Sequence, residues 1–550
     1  MSATSVQAGP STGTGPSETP HPELFTRNAT GLVRAGNTRS AFAYNVLFGQ
    51  AGLTLAIAFA VLPLAYPGAS LPLALLLGFC LALPGTLVYA YLTTLMPRTG
   101  GDYVFVSRTL HPAIGFAQNL SAMLWVTVSF GLMFKLIVSF GVVPLFRMLG
   151  AYSGDSNMLS IANWFNHEYA VFLLGAVFIL AGAALFIFAG IQQTFRLLVG
   201  ALVVYAVGVI ALPIGISLFT SHASFVHSFN SYAHNLGGPA NAGNVVTSAG
   251  PVDNAFSFKH SLLLVSTLWF TFGYVFASNY VGGEIRSSRR THLWSMPGAL
   301  LASALVMLLV FPFFTHMVGS DFLQQLNLAD PSKLGFPGGA PSYPELAAIA
   351  SGSPILGTII LLAFPIGILA SLPVQTLVIT RSMLAWSFDG VAPRGLSYVS
   401  DRTHAPVVAV IVTALLALGS MAVYAFTTWL STLSVLVPLA ATYFIVAITA
   451  TVLPYRKPEL LASAGMTHRF AGIPALSWLG GLATLGFGGV IAIFLTDPGS
   501  GTDLADHHQL LLIQLGILVL AGPALYYVSR WIRARQGVDL DLVYAEIPPE

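Results

Sequence analysis

Apolar stretches of about 20 residues recur along this chain from Ala41 to Trp531, and no other feature constrains its fold so tightly. A helix of ~20 residues crosses the ~30 Å hydrocarbon layer of a bilayer. In that layer no water completes the backbone hydrogen bonds, so only helices and closed barrels persist there. The stretches fall near 42–66, 71–95, 113–145, 169–190, 196–219, 261–283, 292–317, 354–384, 405–426, 430–453, 473–496 and 508–531; they are numbered spans 1 to 12 below. The expected fold is an all-α polytopic membrane protein of about 12 transmembrane helices, with the lipid bilayer as its first partner. Spans 3 and 8 are long enough to tilt or to extend past the bilayer.

Composition agrees. Hydrophobic residues make up 55% of the 550 and charged residues only 8%, against about 25% charged in an average soluble domain. A net charge of +2 predicts no nucleic-acid partner. The single cysteine, Cys80, excludes an internal disulfide or a thiolate metal set.

The basic residues orient the chain. With the N-terminus inside, all but four of the 22 lysines and arginines fall in cytoplasmic pieces; Arg147, Lys259 and Lys333 lie outside and Lys135 within span 3. This predicts a multi-pass cell-membrane protein with both termini cytoplasmic. Residues 1–40, rich in Ser, Thr, Gly and Pro over Ser2 to Pro22, read as a disordered cytoplasmic tail and not as a signal peptide. Residues 532–550 read as a second cytoplasmic tail. The outer loops near 220–260 and 318–353 are rich in Gly, Pro, Ser and Asn and are not expected to form a folded domain. His222, His227 and His234 do not have the spacing of a metal site and read as incidental.

Two spans carry unusual interiors. Span 1 holds Phe48-Gly49-Gln50-Ala51-Gly52, between polar Asn45 and Thr54; span 6 holds Trp269-Phe270-Thr271-Phe272-Gly273-Tyr274, followed by Ser278, Asn279 and Tyr280. Small residues let a helix unwind and expose its backbone N–H groups to an anion, though small residues also serve plain helix packing. Interruptions at matching positions of two halves mark a transporter's substrate site.

Three stretches then become informative together. Met96-Pro97-Arg98-Thr99-Gly100-Gly101-Asp102-Tyr103, continuing to Arg108, follows span 2. Tyr280-Val281-Gly282-Gly283-Glu284-Ile285-Arg286 closes span 6. Arg381-Ser382-Met383-Leu384-Ala385-Trp386-Ser387-Phe388-Asp389-Gly390-Val391-Ala392-Pro393 follows span 8, with Thr403-His404-Ala405-Pro406 beyond. In this order the chain resembles the amino acid–polyamine–organocation (APC) superfamily of permeases from about residue 35 to 530. Ser287-Ser288 stand where that family often has Asn-Pro.

The resemblance implies a five-plus-five inverted repeat, about 42–219 and 261–453, with discontinuous helices 1 and 6 and two extra C-terminal helices at 473–531. It implies alternating access around a site at the bilayer midplane. There, backbone around Gly49, Gln50, Ala51 and Gly52 would hold a substrate carboxylate. Backbone around Phe270, Phe272 and Gly273 would hold the amino group, with Trp269 as an aromatic gate. Ser371 matches the cation site of sodium-coupled relatives. Arg98, Asp102, Arg108, Glu284, Arg381 and Asp389 are expected to form inner-gate ion pairs, or else to be solvated ends of helices.

No Asp or Glu falls inside a span in this reading. Intramembrane carboxylates mark cation and proton sites, so their absence predicts an amino acid with a neutral side chain and leaves a proton relay without a candidate. Lys135 lies toward the outer end of span 3 and reads as a snorkelling lysine. Span 5 offers Arg196 but no lysine to occupy a cation site, as some relatives do. The coupling ion, sodium or proton, stays open, as does the oligomeric state. The expected function is a secondary active amino acid permease without cofactor. Rival readings are a transporter of organic amines or nucleobases, or a membrane sensor; ATP-driven pumping is not expected, because no phosphate-binding loop is present, and an enzyme is not expected, because no buried catalytic constellation is present.

Overall fold

The computed structural model describes residues 32–251, 255–336, 339–427, 435–500, 502–505 and 508–545. Among these, eleven helices are long and apolar enough to cross a bilayer. One of them, Glu168–Phe219, holds 52 residues, about 78 Å at 1.5 Å per residue and far more than one bilayer needs. It is broken at Gly190, where φ is 70° and ψ is −176°. A Cβ there would lie 2.5 Å from the Thr403 carbonyl oxygen, so both backbone and space demand glycine. Divided at that break, the helices are the twelve that hydropathy suggests.

Exposure sorts them. The apolar windows of span 6 (Phe258–Tyr280) and span 1 (Thr38–Leu62) are 94% and 83% buried, whereas those of Glu168–Phe219 and span 12 (Gln509–Arg535) are 22% buried. Side chains such as Phe188 and Leu485 stand out from the protein, as a lipid-facing surface requires. The two helices with unusual interiors are therefore the innermost. Span 2 (Leu71–Leu95) packs on span 7 (Ser288–Val318) and span 11 (Ala475–Thr496), and span 11 on span 10 (Leu436–Arg456). Span 10 was expected to begin near 430; residues 428–434 lie outside the described residues.

Spans 3 and 8 are long, as expected. Span 3 runs over Pro112–Ser153 with a π-helical turn at Val138–Val142. Span 8, Pro354–Phe388, changes helix at Ala370.

The two long loops on the face opposite the arginine-rich one correct the sequence reading. They fold into helices His222–Asn235, Ala242–Thr247, Ser320–Leu328 and Tyr343–Ala350, which pack on one another. Phe225, Phe229 and Tyr232 recur at helical spacing and bury against Phe322 and Phe336. The polar residues between them hid that periodicity from composition. Arg147, from the end of span 3, ties the cap down through Glu345 at 2.6 Å, and Tyr232 also donates to Glu345.

The described parts of both tails engage the arginine-rich face. Residues 1–31 lie outside the described residues, but span 1 already begins at Thr38, capped by the Asn37 side chain. Before it, Gly36 forms a one-residue parallel bridge with Ile285: its amide donates to the Glu284 carbonyl, and the Arg286 amide donates to the Gly36 carbonyl. The C-terminal tail carries a short helix, Leu540–Ala545, with Leu540 and Tyr544 buried.

Candidate functional site

Span 1 is two helices, Thr38–Gly49 and Ala51–Ala65, parted by one residue: Gln50, at φ 48° and ψ 55°. A left-handed conformation in a non-glycine residue costs about 1–3 kcal/mol and persists only where the surroundings enforce it. The flanking glycines have a different duty from the expected unwinding. A Cβ on Gly49 would lie 3.0 Å from Val275 Cγ1, and one on Gly52 would lie 2.5 Å from Val209 Cγ1 and 2.8 Å from the Tyr205 hydroxyl. They let neighbouring elements press against the break, while Gln50 makes it. The Gly52 amide is not bare; it donates to the Tyr205 hydroxyl.

Span 6 loses its α-helix at Gly273, after Val265–Phe272, and turns into a 3-10 turn at Ala277–Tyr280. The two interruptions face each other. Thr271 Oγ1 donates to Thr54 Oγ1 at 2.7 Å, and the Ser278 amide donates to Asn45 Oδ1 at 2.9 Å. The rings of Phe48 and Tyr274 lie 4.6 Å apart.

Between them lies a cavity with about 10 Å³ of water-accessible volume. That is room for about one water, far below the ~300 Å³ of an open ligand site, so the protein is closed around this point. Phe48 and Gly273 line it with Tyr89, Tyr274, Phe276, Asn279, Tyr280 and Tyr443, and none of its lining residues is charged. Asn279 is wholly buried there, and neither its amide nitrogen nor its oxygen has a hydrogen-bond partner. Gln50 Oε1, Asn45 Nδ2 and Trp269 Nε1 are also buried without partners. Orphaned buried amides are costly and point to a polar occupant.

The expected site residues divide. Gly273 lines the cavity; Gly49, Gln50, Ala51 and Gly52 lie at the span 1 break but do not line it, and neither do Trp269, Phe270 and Phe272. Trp269 folds its indole onto Gly273 and meets Phe487 edge-on. Phe272 packs where Gly78 leaves space, and Phe270 lies edge-on to Tyr274. Sequence reasoning passed over Tyr89 and Tyr443, which come from spans 2 and 10 and carry no local mark. Asn279 and Tyr280 were in view but unassigned.

Ser371 and Gln50 converge on one atom. Ser371 Oγ donates to the Ile368 carbonyl at 2.8 Å and Gln50 Nε2 to the same oxygen at 3.2 Å. A carbonyl has two lone pairs, so that oxygen is saturated and offers nothing to a sodium ion in this conformation.

On the arginine-rich face, four of the six expected gate residues pair. Arg108 grips Asp389 with two bonds of 2.6 and 2.8 Å, and Arg381 grips Glu284 with two of 2.7 Å. All four are buried. Their planar, bidentate geometry is the strong form of a charge-assisted bond. Asp102 and Arg98 depart from the expectation and do not pair among the described residues. Asp102 instead accepts from Tyr280 at 2.7 Å, Asn119 at 2.8 Å and Tyr89 at 3.4 Å. Arg98 is half-buried, its Nε without a partner.

Paired breaks around a closed cavity, with ion pairs beneath, suit a carrier, and the comparison with known families decides which. The family profile described as amino acid permease matches residues 38–519. The chain belongs to the amino acid permease family. A search of curated proteins returned no match. The permease is thus a multi-pass membrane transporter of amino acids or related solutes.

The permease's remaining polar groups lie away from the breaks. Lys135 meets Glu168 at 3.4 Å, both about half exposed at 46%, as a lysine at a membrane interface would be. His222, on the cap, contacts the Met317 carbonyl through Nδ1; His227 and His234 lie on the same helix. Two carboxyls outside the spans are shifted by burial. Glu345 is raised, with Arg147 and Tyr232 opposing the shift. Asp102 is pushed up to about 6, with Tyr280, Asn119 and Tyr89 opposing.

Proposed function

We propose that the permease is a secondary active transporter of amino acids with neutral side chains, working by alternating access around the interrupted spans 1 and 6. The observation that carries this reading is Asn279. A buried amide with both its donor and its acceptor unpartnered, in a cavity between two helix breaks, matches a ligand that bears a carboxylate and an ammonium together. Gln50 Oε1 and Asn45 Nδ2 add a further acceptor and donor nearby. An uncharged, aromatic lining favours an apolar side chain, since a cationic one would find no carboxylate in it.

The arginine-rich face is assigned to the cytoplasm by the bias of basic residues. The pairs Arg108–Asp389 and Arg381–Glu284 then act as the inner gate. The five-plus-five inverted repeat belongs to the same proposal and is supported by the interruption of the first helix in each half. Because the cavity holds no more than a water, transport requires a further conformation in which it widens.

Counterflow into liposomes loaded with one amino acid tests the reading. Neutral amino acids are expected to exchange, and Asn279→Leu to abolish exchange while the protein stays folded. Strong preference for arginine, polyamines, organic amines or nucleobases would overturn it. A thermal-shift screen of the same compounds in detergent gives an independent ranking, since a ligand stabilises the state it binds.

A further inference from the structure

The carboxyl of Asp102, between spans 2 and 3, is wholly buried. Glu284 and Asp389, its buried acidic neighbours on the same face, each grip a guanidinium, whereas Asp102 faces two phenols and an amide. The difference is chemical. A guanidinium only donates, so it holds a carboxylate in its charged form; a tyrosine hydroxyl donates or accepts. The Asp102 cluster can therefore stay hydrogen-bonded whether the carboxyl is ionised or neutral. Tyr89 and Tyr280, which donate to Asp102 Oδ2, also line the cavity beside Asn279. One side chain thus separates the candidate substrate site from a buried carboxyl that no cation among the described residues pins.

Building on the transport reading above, we propose that Asp102 is the proton carrier of the permease, loaded through the Tyr89 and Tyr280 hydroxyls in the closed form and unloaded to the arginine-rich side when that face opens.

The charged and titratable groups around Asp102 are otherwise engaged. On its own helix, Asp102–Thr109, Tyr103 donates to Asp389, which Arg108 also holds. Span 3 presents Asn119, fixed by the Trp386 indole. Span 10 presents Tyr443, and its Arg456 caps the carbonyls of Thr109 and Leu110. Span 8 presents Arg381, held by Glu284, and the tail helix presents Tyr544, bonded to Tyr103, and Asp541, paired with Arg530. Span 2 and the break after span 6 supply Tyr89 and Tyr280.

The proton balance is simple. In the closed form burial raises the carboxyl to about 6 from its ordinary 3.8, so one proton from the cavity side binds a carboxylate oxygen. Opening the arginine-rich face hydrates the group, its affinity falls back, and the same proton leaves to water. Low pH on the loading side therefore favours the closed, loaded form.

Purified permease in liposomes containing a pH-sensitive dye tests this under an imposed inward proton gradient. Wild type is expected to acidify the lumen when a neutral amino acid is added outside. At one proton per substrate it should accumulate that amino acid about tenfold per pH unit of gradient. Asp102→Asn is expected to retain counterflow and lose both acidification and accumulation. If Asp102→Asn fails to fold, Tyr280→Phe removes a bond that lowers the Asp102 pKa, and must shift the pH midpoint of uptake upward. Wild-type counterflow without proton entry, gradient-driven accumulation by Asp102→Asn, or an unmoved midpoint in Tyr280→Phe overturns proton carriage by Asp102 and leaves the transport reading standing. No wild-type counterflow with any amino acid overturns both.

Discussion

The Tyr544 ring lies 4.5 Å from the guanidinium carbon of Arg108, and its hydroxyl is 2.8 Å from that of Tyr103. Arg108 and Tyr103 both reach Asp389. A tail residue beyond span 12 thus covers one of the two ion pairs buried on the arginine-rich face among the described residues. Span 12 holds the turn after Asp389, where Arg533 donates to the Gly390 carbonyl and Ser529 to that of Val391, and meets the tail through Arg530 and Asp541. Tyr544→Ala removes a cation–π contact and a buried hydrogen bond, about 1–3 kcal/mol in all. The expected outcome is a lower unfolding temperature and faster labelling of a cysteine placed at Ser107, measured from the arginine-rich side. Unchanged labelling would show that the tail does not restrain the pair.

The Arg381–Glu284 pair is buried on both sides. Removing one partner leaves the other charged and unpaired, at a cost of about 3–5 kcal/mol. Arg381→Met and Glu284→Gln are each expected to unfold far more readily in detergent. The double variant should recover most of the loss, because it removes both charges. Additive losses in that double-mutant cycle would refute a direct coupling.

Gly52 has no room for a side chain, since an added Cβ would lie 2.5 Å from Val209 and 2.8 Å from Tyr205. Overpacking of this kind costs about 1–3 kcal/mol, and here it displaces the hydroxyl that caps the broken helix. Gly52→Ala is expected to reduce counterflow strongly, whereas Gly200→Ala, with nothing within 4 Å of its Cβ, should leave it near wild type. Equal activity in the two variants would contradict the role of close packing at the break.

Asp102 makes stability depend on pH in a fixed direction. Its pKa is raised from 3.8 to about 6 in the folded protein, so between those values the native state binds more protons than the unfolded one. Stability contributed by the protonated carboxyl is complete below about pH 4 and is lost as pH rises through about 6, in total about 3 kcal/mol. Asp102→Asn lacks this dependence. Wild type minus variant, from detergent melts across pH 4–7, is expected to fall over that window; a flat difference would contradict the burial argument.

Lys135 and Glu168 are half exposed, and such a pair is worth about 0–1 kcal/mol. Lys135→Met is expected to transport normally. Loss of transport with normal membrane insertion would give this lysine a part in coupling.

Much of this was legible in order along the chain. Twelve apolar stretches, the bias of arginines and three ordered motifs identified the membrane fold and family, because length and polarity decide what a bilayer accepts. The breaks in spans 1 and 6 were legible as positions, yet their cause was not: Gln50 leaves the helix, while Gly49 and Gly52 serve packing. The outer cap was missed because polar residues diluted Phe225, Phe229 and Tyr232. Arg98 and Asp102 are expected in the inner gate from their place in the motif at a cytoplasmic helix end, but the helix beginning at Asp102 turns its carboxyl toward Tyr280 and Asn119.

By itself the sequence determined that this chain crosses a bilayer many times and belongs with amino acid permeases, since hydropathy and short motifs are properties of neighbouring residues. Only the tertiary structure decided which carboxyl meets a guanidinium and which meets phenols. Tyr89, Asp102, Asn119 and Tyr280 come from four separate segments, and a group's charge state is set by what surrounds it in space.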